Sequence, residues 1–253
     1  MADGLGDVPA APPPEAVANN LGAARASEGE LEAAIEHFKL AVERNPDYLP
    51  GHKNLLAAYV ETERWSEARR AAETVEALHP FGEQLRRGRV PEDEEAAGAL
   101  REDRSFLANL GRAYLETGAL GRAKTRYTLC LRLFPLQVEG YNGLAEVARR
   151  RGEYGEAVRL YAQSLKHYAK QPEVLRRLQS MKGESAELTA KIEWVVATYA
   201  RPGGGREGPQ SASFPEAPTG PQGPRAPGPP LPGRDGRIPA PQPPDPWEGI
   251  DVR

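Results

Sequence analysis

The sequence predicts an all-α fold, a solenoid in which antiparallel helix hairpins stack in a row. The first observation is an internal repeat: residues 118–135 and 29–46 share their spacing of glycine, small, aromatic and proline residues. Residues 152–169 keep this spacing without the proline, and residues 63–80 are a weaker copy. The second observation is that apolar residues in these segments recur three or four positions apart, the period of an amphipathic helix. Such a repeated unit is typical of proteins whose stacked units share one core.

The first predicted hairpin follows a short segment of glycine, alanine, proline and aspartate. Residues 1–14 show no periodicity, so we expect them to be disordered. Helical periodicity begins at Glu15. A second helix starts near Glu30 and ends at Asn45, because the residue before a proline avoids the helical conformation. Another hairpin of the same kind completes the range 15–82.

A charged insert over residues 83–103 interrupts the repeat. Arginines near its start are followed by acidic residues from Glu92 to Glu95. Pro91 directly before these acids is typical of a helix start, since proline suits the first turn and carboxylates stabilise the positive end of the helix dipole. We therefore expect a flexible loop over residues 82–90 and then one long helix from Pro91 to Tyr114, which makes the insert partly helical.

Two further hairpins are predicted over residues 104–171, and a final helix pair over residues 172–200. This last pair has an apolar stripe but lacks the recurring glycine and alanine, so we interpret it as a cap on the open end of the stack. Residues 201–253 are rich in proline and glycine, which predicts a disordered tail with polyproline II character. Trp247 lies in this tail with no core to fill, so we expect it to contact a partner.

Each predicted hairpin carries a small residue at one place in its second helix, where only a small side chain lets neighbouring helices approach closely. These residues are Ala34, Ala68, Ala123 and Ala157. Four positions later, Phe38, Tyr127 and Tyr161 are predicted to fill the adjoining hole. The pattern therefore indicates the same close packing in each unit.

These spacings resemble those of the tetratricopeptide repeat family. One unbroken unit matches the family pattern at Leu110, Gly111, Tyr114, Gly118, Ala123, Tyr127 and Pro135. The resemblance covers roughly residues 15–171 in four units, although Arg25 and Ala148 stand where the family has a first-helix aromatic residue. It implies a right-handed superhelix in which the first helix of each hairpin lines a concave groove.

The resemblance also implies which side chains face that groove. The candidate partner-binding residues are Asn20, Lys53, Asn54, Asn109, Arg112 and Asn142. Three of the asparagines occupy the same place in successive units. An amide there has both a donor and an acceptor, so it can pair with the backbone of an extended peptide. The alternative is that these amides are solvated groove residues. Only Asn54 matches the carboxylate clamp of the family's chaperone-binding members, so we do not expect that clamp.

The sequence shows none of the patterns that carry catalysis. It has no glycine-rich phosphate loop, no HExxH or GxSxG motif and no paired-carboxylate site, so we expect no enzyme and no cofactor. The four histidines are not spaced as metal ligands, and the single cysteine, Cys130, is predicted to be a small core residue. A net charge of -3, with acids interspersed among the arginines, argues against nucleic-acid binding.

Localisation is predicted from two missing signals. The chain has no apolar run of about 18 residues, which predicts no membrane span. Its start lacks the basic and apolar regions of a secretory signal, so we expect a cytoplasmic protein.

These observations together predict a non-catalytic scaffold or adaptor whose partners are proteins or peptides. We expect it to bind an extended partner segment in the concave groove, while the proline-rich ends tether or recruit other molecules. The alternative is a structural subunit that docks into a larger assembly through its convex face or its capping helix.

Overall fold

The computed structural model describes residues 11–101 and 104–200, and its regular secondary structure in these ranges is entirely helical. Of the predicted disordered ends at residues 1–14 and 201–253, residues 1–10 and 201–253, with Trp247, lie outside the described residues, and Pro14 already begins a helix. The helices are α1 (Pro14–Ser27), α2 (Leu31–Arg44), α3 (Leu49–Glu61), α4 (Trp65–Leu78), α5 (Gly82–Arg87), α6 (Glu94–Arg101), α7 (Arg104–Glu116), α8 (Leu120–Leu133), α9 (Val138–Arg150), α10 (Tyr154–His167), α11 (Pro172–Ser180) and α12 (Ala186–Tyr199). The predicted all-α solenoid of antiparallel hairpins is confirmed.

The four repeat hairpins are α1–α2, α3–α4, α7–α8 and α9–α10, and their turns share one geometry. After the first helix, one residue takes a left-handed backbone: Gly29 (φ 81°), Glu63 (φ 56°), Gly118 (φ 78°) and Gly152 (φ 76°). The N–H of the next residue then bonds a carbonyl five residues back, as from Ala119 to Tyr114 at 2.8 Å. This is the Schellman helix end. Glycine adopts this left-handed backbone without steric cost. Glu63 adopts it as well, but at a steric cost because it has a Cβ, and Glu63 begins the weakest copy of the repeat.

Close helix approach depends on the small residues that the repeat predicts. Ala34, Ala68, Ala123 and Ala157 are all fully buried. In the first helices, glycines accommodate the aromatic residues: a Cβ at Gly22 would lie 2.5 Å from the Phe38 ring, and one at Gly111 would lie 2.7 Å from the Tyr127 ring. The recurring alanines, glycines and aromatic rings therefore form matched contacts between the two helices of a hairpin.

The insert does not interrupt the stack, because α7 packs directly on α3 and α4 while α5 and α6 pack against α8. The predicted loop over residues 82–90 is wrong for its first part, since Gly82–Arg87 is helical. The physical reason is that Leu85 is fully buried and anchors this short helix in the core. The predicted long helix corresponds to α6 and α7, with residues 102 and 103 between them outside the described ranges.

The apolar core consists of two clusters that meet at α9. One cluster joins the first three hairpins and includes Val147 of α9. The other contains Ala145 and Ala148 of α9 together with α10, α11 and α12. The final helix pair therefore covers the apolar face of the fourth hairpin through Leu178 and Ile192, both fully buried.

Candidate functional site

The concave side of the stack is formed by the first helix of each hairpin. Helix α3 contacts α1 and α7, and α7 contacts α9, whereas the second helices of successive hairpins meet marginally at most. The first helices are therefore closer together and lie on the inner side of the curve. All six candidate residues lie on these helices: Asn20 on α1, Lys53 and Asn54 on α3, Asn109 and Arg112 on α7, and Asn142 on α9.

The three repeat-equivalent asparagines do not have equivalent surroundings. Asn20 is exposed, whereas Asn54 and Asn109 are partly buried. Asn54 Nδ2 donates to Oδ1 of the buried Asn19 at 2.8 Å, so one of its donors is already used within the groove. Beside it, Lys53 Nζ lies 4.7 Å from the centroid of the Phe106 ring, a cation–π contact. The amides of α1 and α3 are thus partly engaged by the protein itself.

Three other candidates come together in one pocket. Asn109, Arg112 and Asn142 line a concave space of about 440 Å³ between α7, α9 and the start of α11. The structure does not bring Asn20, Lys53 or Asn54 into this pocket. Asn109 makes no side-chain hydrogen bond with the described residues, and within the same ranges Arg112 has no carboxylate partner; its guanidinium carbon lies 5.3 Å from the centroid of the Trp65 ring. Both side chains therefore line the pocket without an ion pair or hydrogen bond to the described residues, although Arg112 contacts the Trp65 ring.

An aromatic ring and a glycine form part of the pocket lining. Tyr127 and Gly143 both line it, and a Cβ at Gly143 would lie only 2.2 Å from Cζ of Tyr127. Gly143 stands at the place that Asn20, Asn54 and Asn109 occupy in the other units. The fourth unit thus replaces the amide with close contact between the α9 backbone and an aromatic ring.

A buried carboxylate stabilises the far side of the pocket. Glu146 accepts hydrogen bonds from Arg149 at 2.7 and 2.8 Å, from Arg150 at 3.0 Å and from the Tyr161 hydroxyl at 3.2 Å. Burial by itself would raise the pKa of Glu146, but the two guanidinium groups lower it to about 2. Glu146 therefore remains ionised and holds its neighbours in place.

The last polar group in the pocket is the Asn142 amide, which links α9 to the residue directly before α11. Its Nδ2 donates to Oε1 of Gln171 at 2.7 Å. Gln171 Nε2 in turn donates to the carbonyl oxygens of Ser164 at 3.1 Å and Tyr168 at 2.7 Å. Asn142 Oδ1 is buried and has no hydrogen-bond partner among the described residues. It is a buried acceptor that lacks a donor.

Comparison with known proteins identifies the repeat. The family model for the tetratricopeptide repeat matches residues 16–48, which span most of α1, all of α2 and the turn between them. The other three hairpins repeat the turn and the small-residue packing of this unit. The chain therefore contains a tetratricopeptide repeat (TPR) at residues 16–48.

Two solved structures of TPR proteins are similar to this one. A thermophilic TPR protein of Thermus thermophilus is 21% identical, with a TM-score of 0.38, over 66% of this chain and 97% of its own. YrrB, described as a TPR protein with an unusual peptide-binding site, is 15% identical, with a TM-score of 0.32, over 64% of this chain and 90% of its own. No curated protein matches this TPR protein.

Sequence reasoning missed part of the pocket of this TPR protein. Arg177 lines it, yet it belongs to the helix pair that we interpreted only as a cap, and Gln171, which also lines it, directly precedes that pair. One signal was present: Gln137 and Gln171 stand at the same place in successive units. Gln137 accepts from Cys130 Sγ at 3.3 Å, and Gln171 accepts from Ser164 Oγ at 3.2 Å. A repeated glutamine next to a repeated small residue indicates a structural role at the start of each following helix.

Three further observations concern the cysteine, metal ligands and membrane spans of the described residues. Cys130 is buried, and burial raises the pKa of its thiol to about 12. Across residues 11–101 and 104–200, no group of three or more His, Cys, Asp or Glu side chains could hold a metal ion. None of the helices in the described part of the chain is long and apolar enough to cross a membrane.

Proposed function

We propose that this TPR protein is a non-catalytic scaffold that binds an extended segment of a partner protein in its concave groove. The binding site is the pocket between α7, α9 and α11. One observation supports the proposal above others: Asn109, Arg112 and Asn142 line this pocket together, and Asn109 and Arg112 have polar groups that make no hydrogen bond or ion pair with the described residues. An extended segment presents N–H donors and C=O acceptors along its length, which such groups can pair.

A triple variant, Asn109→Ala with Arg112→Ala and Asn142→Ala, tests this function in the full chain. We expect proteins captured from cell extract on the wild-type chain to be lost on the variant, because the pocket then lacks its polar side chains. A matched control carries Glu43→Ala, Arg70→Ala and Lys124→Ala, three exposed residues on second helices. This control should retain the captured proteins.

The two variants also separate the groove from other docking surfaces. Circular dichroism must first show that both variants keep wild-type helix content and cooperative melting. If the folded groove variant still captures the same proteins, the groove proposal is wrong. Docking through the convex face or the capping helices is then the better description, and loss of capture in the control variant would assign the convex face.

A further inference from the structure

We propose that the apolar patch formed by Leu136 and Tyr168, beside the groove pocket, is the docking site of a segment of the same chain. The segment is residues 229–235, Pro-Pro-Leu-Pro-Gly-Arg-Asp, which lies outside the described residues. The docked segment covers the mouth of the groove pocket and so competes with a bound partner. This competition rests on the proposed function, whereas the docking itself does not.

The apolar patch lines a second concave space of about 580 Å³, which shares Ala108, Asn109 and Glu139 with the groove pocket. Leu136 and Tyr168 have 72% and 53% of their surfaces exposed. Covering these two side chains would remove apolar surface from water, which favours binding of a ligand. Because the two spaces share lining residues, a ligand on the patch also lies at the mouth of the groove pocket.

Aromatic rings extend the apolar surface around the patch. The His167 ring lines the same space as Tyr168 and stacks on the Tyr141 ring, with 5.2 Å between the ring centroids. Burial, together with the neighbouring Lys166, lowers the pKa of His167, so this ring is neutral at neutral pH. Proline-rich segments bind to aromatic surfaces of this kind, since their rings pack against the aromatic side chains and they lose little conformational freedom. The patch therefore favours a proline-rich ligand.

The space that the patch lines also contains one charge of each sign that the described residues leave unpaired. Glu139 makes no ion pair or side-chain hydrogen bond within the described ranges. The same holds for the guanidinium group of Arg104, whose carbon lies 5.9 Å from the centroid of the Phe134 ring. The proposed segment ends in one charge of each sign, Arg234 and Asp235. Docking would bring Arg234 to Glu139 and Asp235 to Arg104, so the charges of segment and patch are complementary.

The choice of residues 229–235 follows from the sequence of the tail. Prolines recur along residues 201–253, but Leu231 is the one large apolar residue there with a proline on both sides. The adjacent cation and anion, Arg234 and Asp235, follow it directly after Pro232 and a glycine. This segment therefore combines the proline, apolar and charged groups that match the patch.

The tail begins at the same end of the stack as the patch. Helices α10, α11 and α12 follow one another through short connections, and each runs antiparallel to the next. Helices α10 and α12 therefore run in the same direction, and they contact each other. Tyr168 follows the end of α10, and the tail follows the end of α12 at Tyr199. Roughly 30 residues separate Tyr199 from the segment and can span up to about 100 Å, whereas neighbouring helices are about 10 Å apart.

The test uses a fluorescein-labelled peptide of residues 227–237 as the probe and full-length chains as receptors, with affinities measured by fluorescence anisotropy. In the tail variant, Leu231→Ser with Arg234→Glu, the tethered segment no longer competes, so the free peptide should bind. The wild-type chain should bind the peptide about tenfold more weakly, because its own segment is present at an effective concentration of about 1 mM. A matched control carries Phe214→Ser with Arg206→Glu, the same changes elsewhere in the tail, and should bind as weakly as the wild type.

Changes in the patch test where the peptide binds. Added to the tail variant, Leu136→Ser and Glu139→Arg should each weaken peptide binding by about fivefold to tenfold. A peptide with Arg234→Glu should regain affinity for the Glu139→Arg chain, because the two charges are then exchanged. Leu40→Ser with Glu43→Arg on the second helix α2 is the matched control and should leave the affinity unchanged. Circular dichroism must show wild-type helix content for each variant.

The outcomes separate the docking from the function of the groove. If the peptide fails to bind the tail variant, if the wild type binds it equally well, or if the exchanged charges restore nothing, the docking is overturned. Equal capture of proteins from cell extract by the wild type and the tail variant would overturn the competition, because releasing the tail should raise capture severalfold.

Failure of the groove function has a different signature, since the Asn109, Arg112 and Asn142 triple variant would then keep its captured proteins. The peptide affinities would in that case decide the docking by themselves. A wild-type dimer that the tail variant disperses in sedimentation velocity would assign the segment to the patch of a second copy, and would overturn docking within one chain.

Discussion

Arg126 Nε donates to Glu76 Oε1 across 2.6 Å, and both side chains are excluded from solvent. The Tyr114 hydroxyl donates to the other carboxylate oxygen at 3.0 Å, and Arg126 also donates to the Arg86 carbonyl at 3.2 Å. This buried pair links α4 of the second hairpin, α5 of the insert, and α7 and α8 of the third hairpin. It explains how the stack continues past the insert.

Arg126→Met should destabilise the fold by about 3–5 kcal/mol, because it leaves the Glu76 carboxylate buried without its cation. Urea denaturation measures the loss. Replacing both partners, as Glu76→Leu with Arg126→Met, should recover most of it. The control is Arg122→Met on the same helix, whose pair with Glu73 is exposed and should be worth less than about 1 kcal/mol. Equal losses in the two single variants would contradict the role of the buried pair.

Gly143→Ala should destabilise the protein by roughly 1–3 kcal/mol through overpacking. Its Cβ would lie 2.2–2.4 Å from ring carbons of Tyr127, which is itself buried and has little room to move. Thermal unfolding measures the change. Gly121→Ala in α8 is the matched control, since a Cβ there meets no heavy atom within 4 Å and should stabilise by up to about 1 kcal/mol. A wild-type melting temperature for Gly143→Ala would mean that the α8–α9 contact is looser than described.

Lowering the pH should reduce the free energy of unfolding, because it protonates the Glu146 carboxylate. Its pKa is about 2 in the folded chain against an ordinary value of 4.5, so the folded state favours the ionised form. Its contribution to stability is complete above pH 4.5 and is lost as pH falls towards 2. Urea midpoints of the wild type and Glu146→Gln across this range check the prediction. The variant should be less stable at neutral pH and less sensitive to acid, whereas parallel profiles would be evidence against it.

The reactivity of Cys130 can report on the packing of the core, because it is the single cysteine of the chain. Burial raises the pKa of its thiol to about 12, so both access and thiolate formation are suppressed. An aromatic disulfide reagent at about pH 8 should therefore react slowly with the native protein and fast in urea. Fast reaction without denaturant would place the thiol at the surface and contradict its packing against Gln137.

The repeat architecture could be predicted because its signals are local. Gly29, Gly118 and Gly152 mark turns that need a left-handed backbone, and the recurring alanines mark close helix contacts. The secondary structure of the insert was harder to predict. Its charge pattern indicated a loop at residues 82–90, but a single residue, Leu85, makes that segment helical by entering the core. Charge describes the solvated face of a segment and carries no information about such an anchor.

The positions of the groove residues could be predicted from the sequence, but their hydrogen-bond partners within the protein could not. Repeat spacing places Asn20, Asn54, Asn109 and Asn142 on the first helices, as the structure does. It could not indicate that Asn54 is already bonded to Asn19, because the two are 35 residues apart. The role of these residues in binding stays a prediction.

The sequence by itself determined the repeat unit of this protein, which is a pair of helices, together with the turns and the faces that the helices bury. These features depend on contacts within a few residues or on a period that repeats along the chain. Only the tertiary structure decided where the groove has a pocket and which amide is left without a partner. Gln171 orients Asn142 across 29 residues, and the geometry that leaves Oδ1 without a donor exists only once the connection between α10 and α11 lies beside α9. A hydrogen bond of this kind depends on distance and direction in space, which residue spacing does not encode.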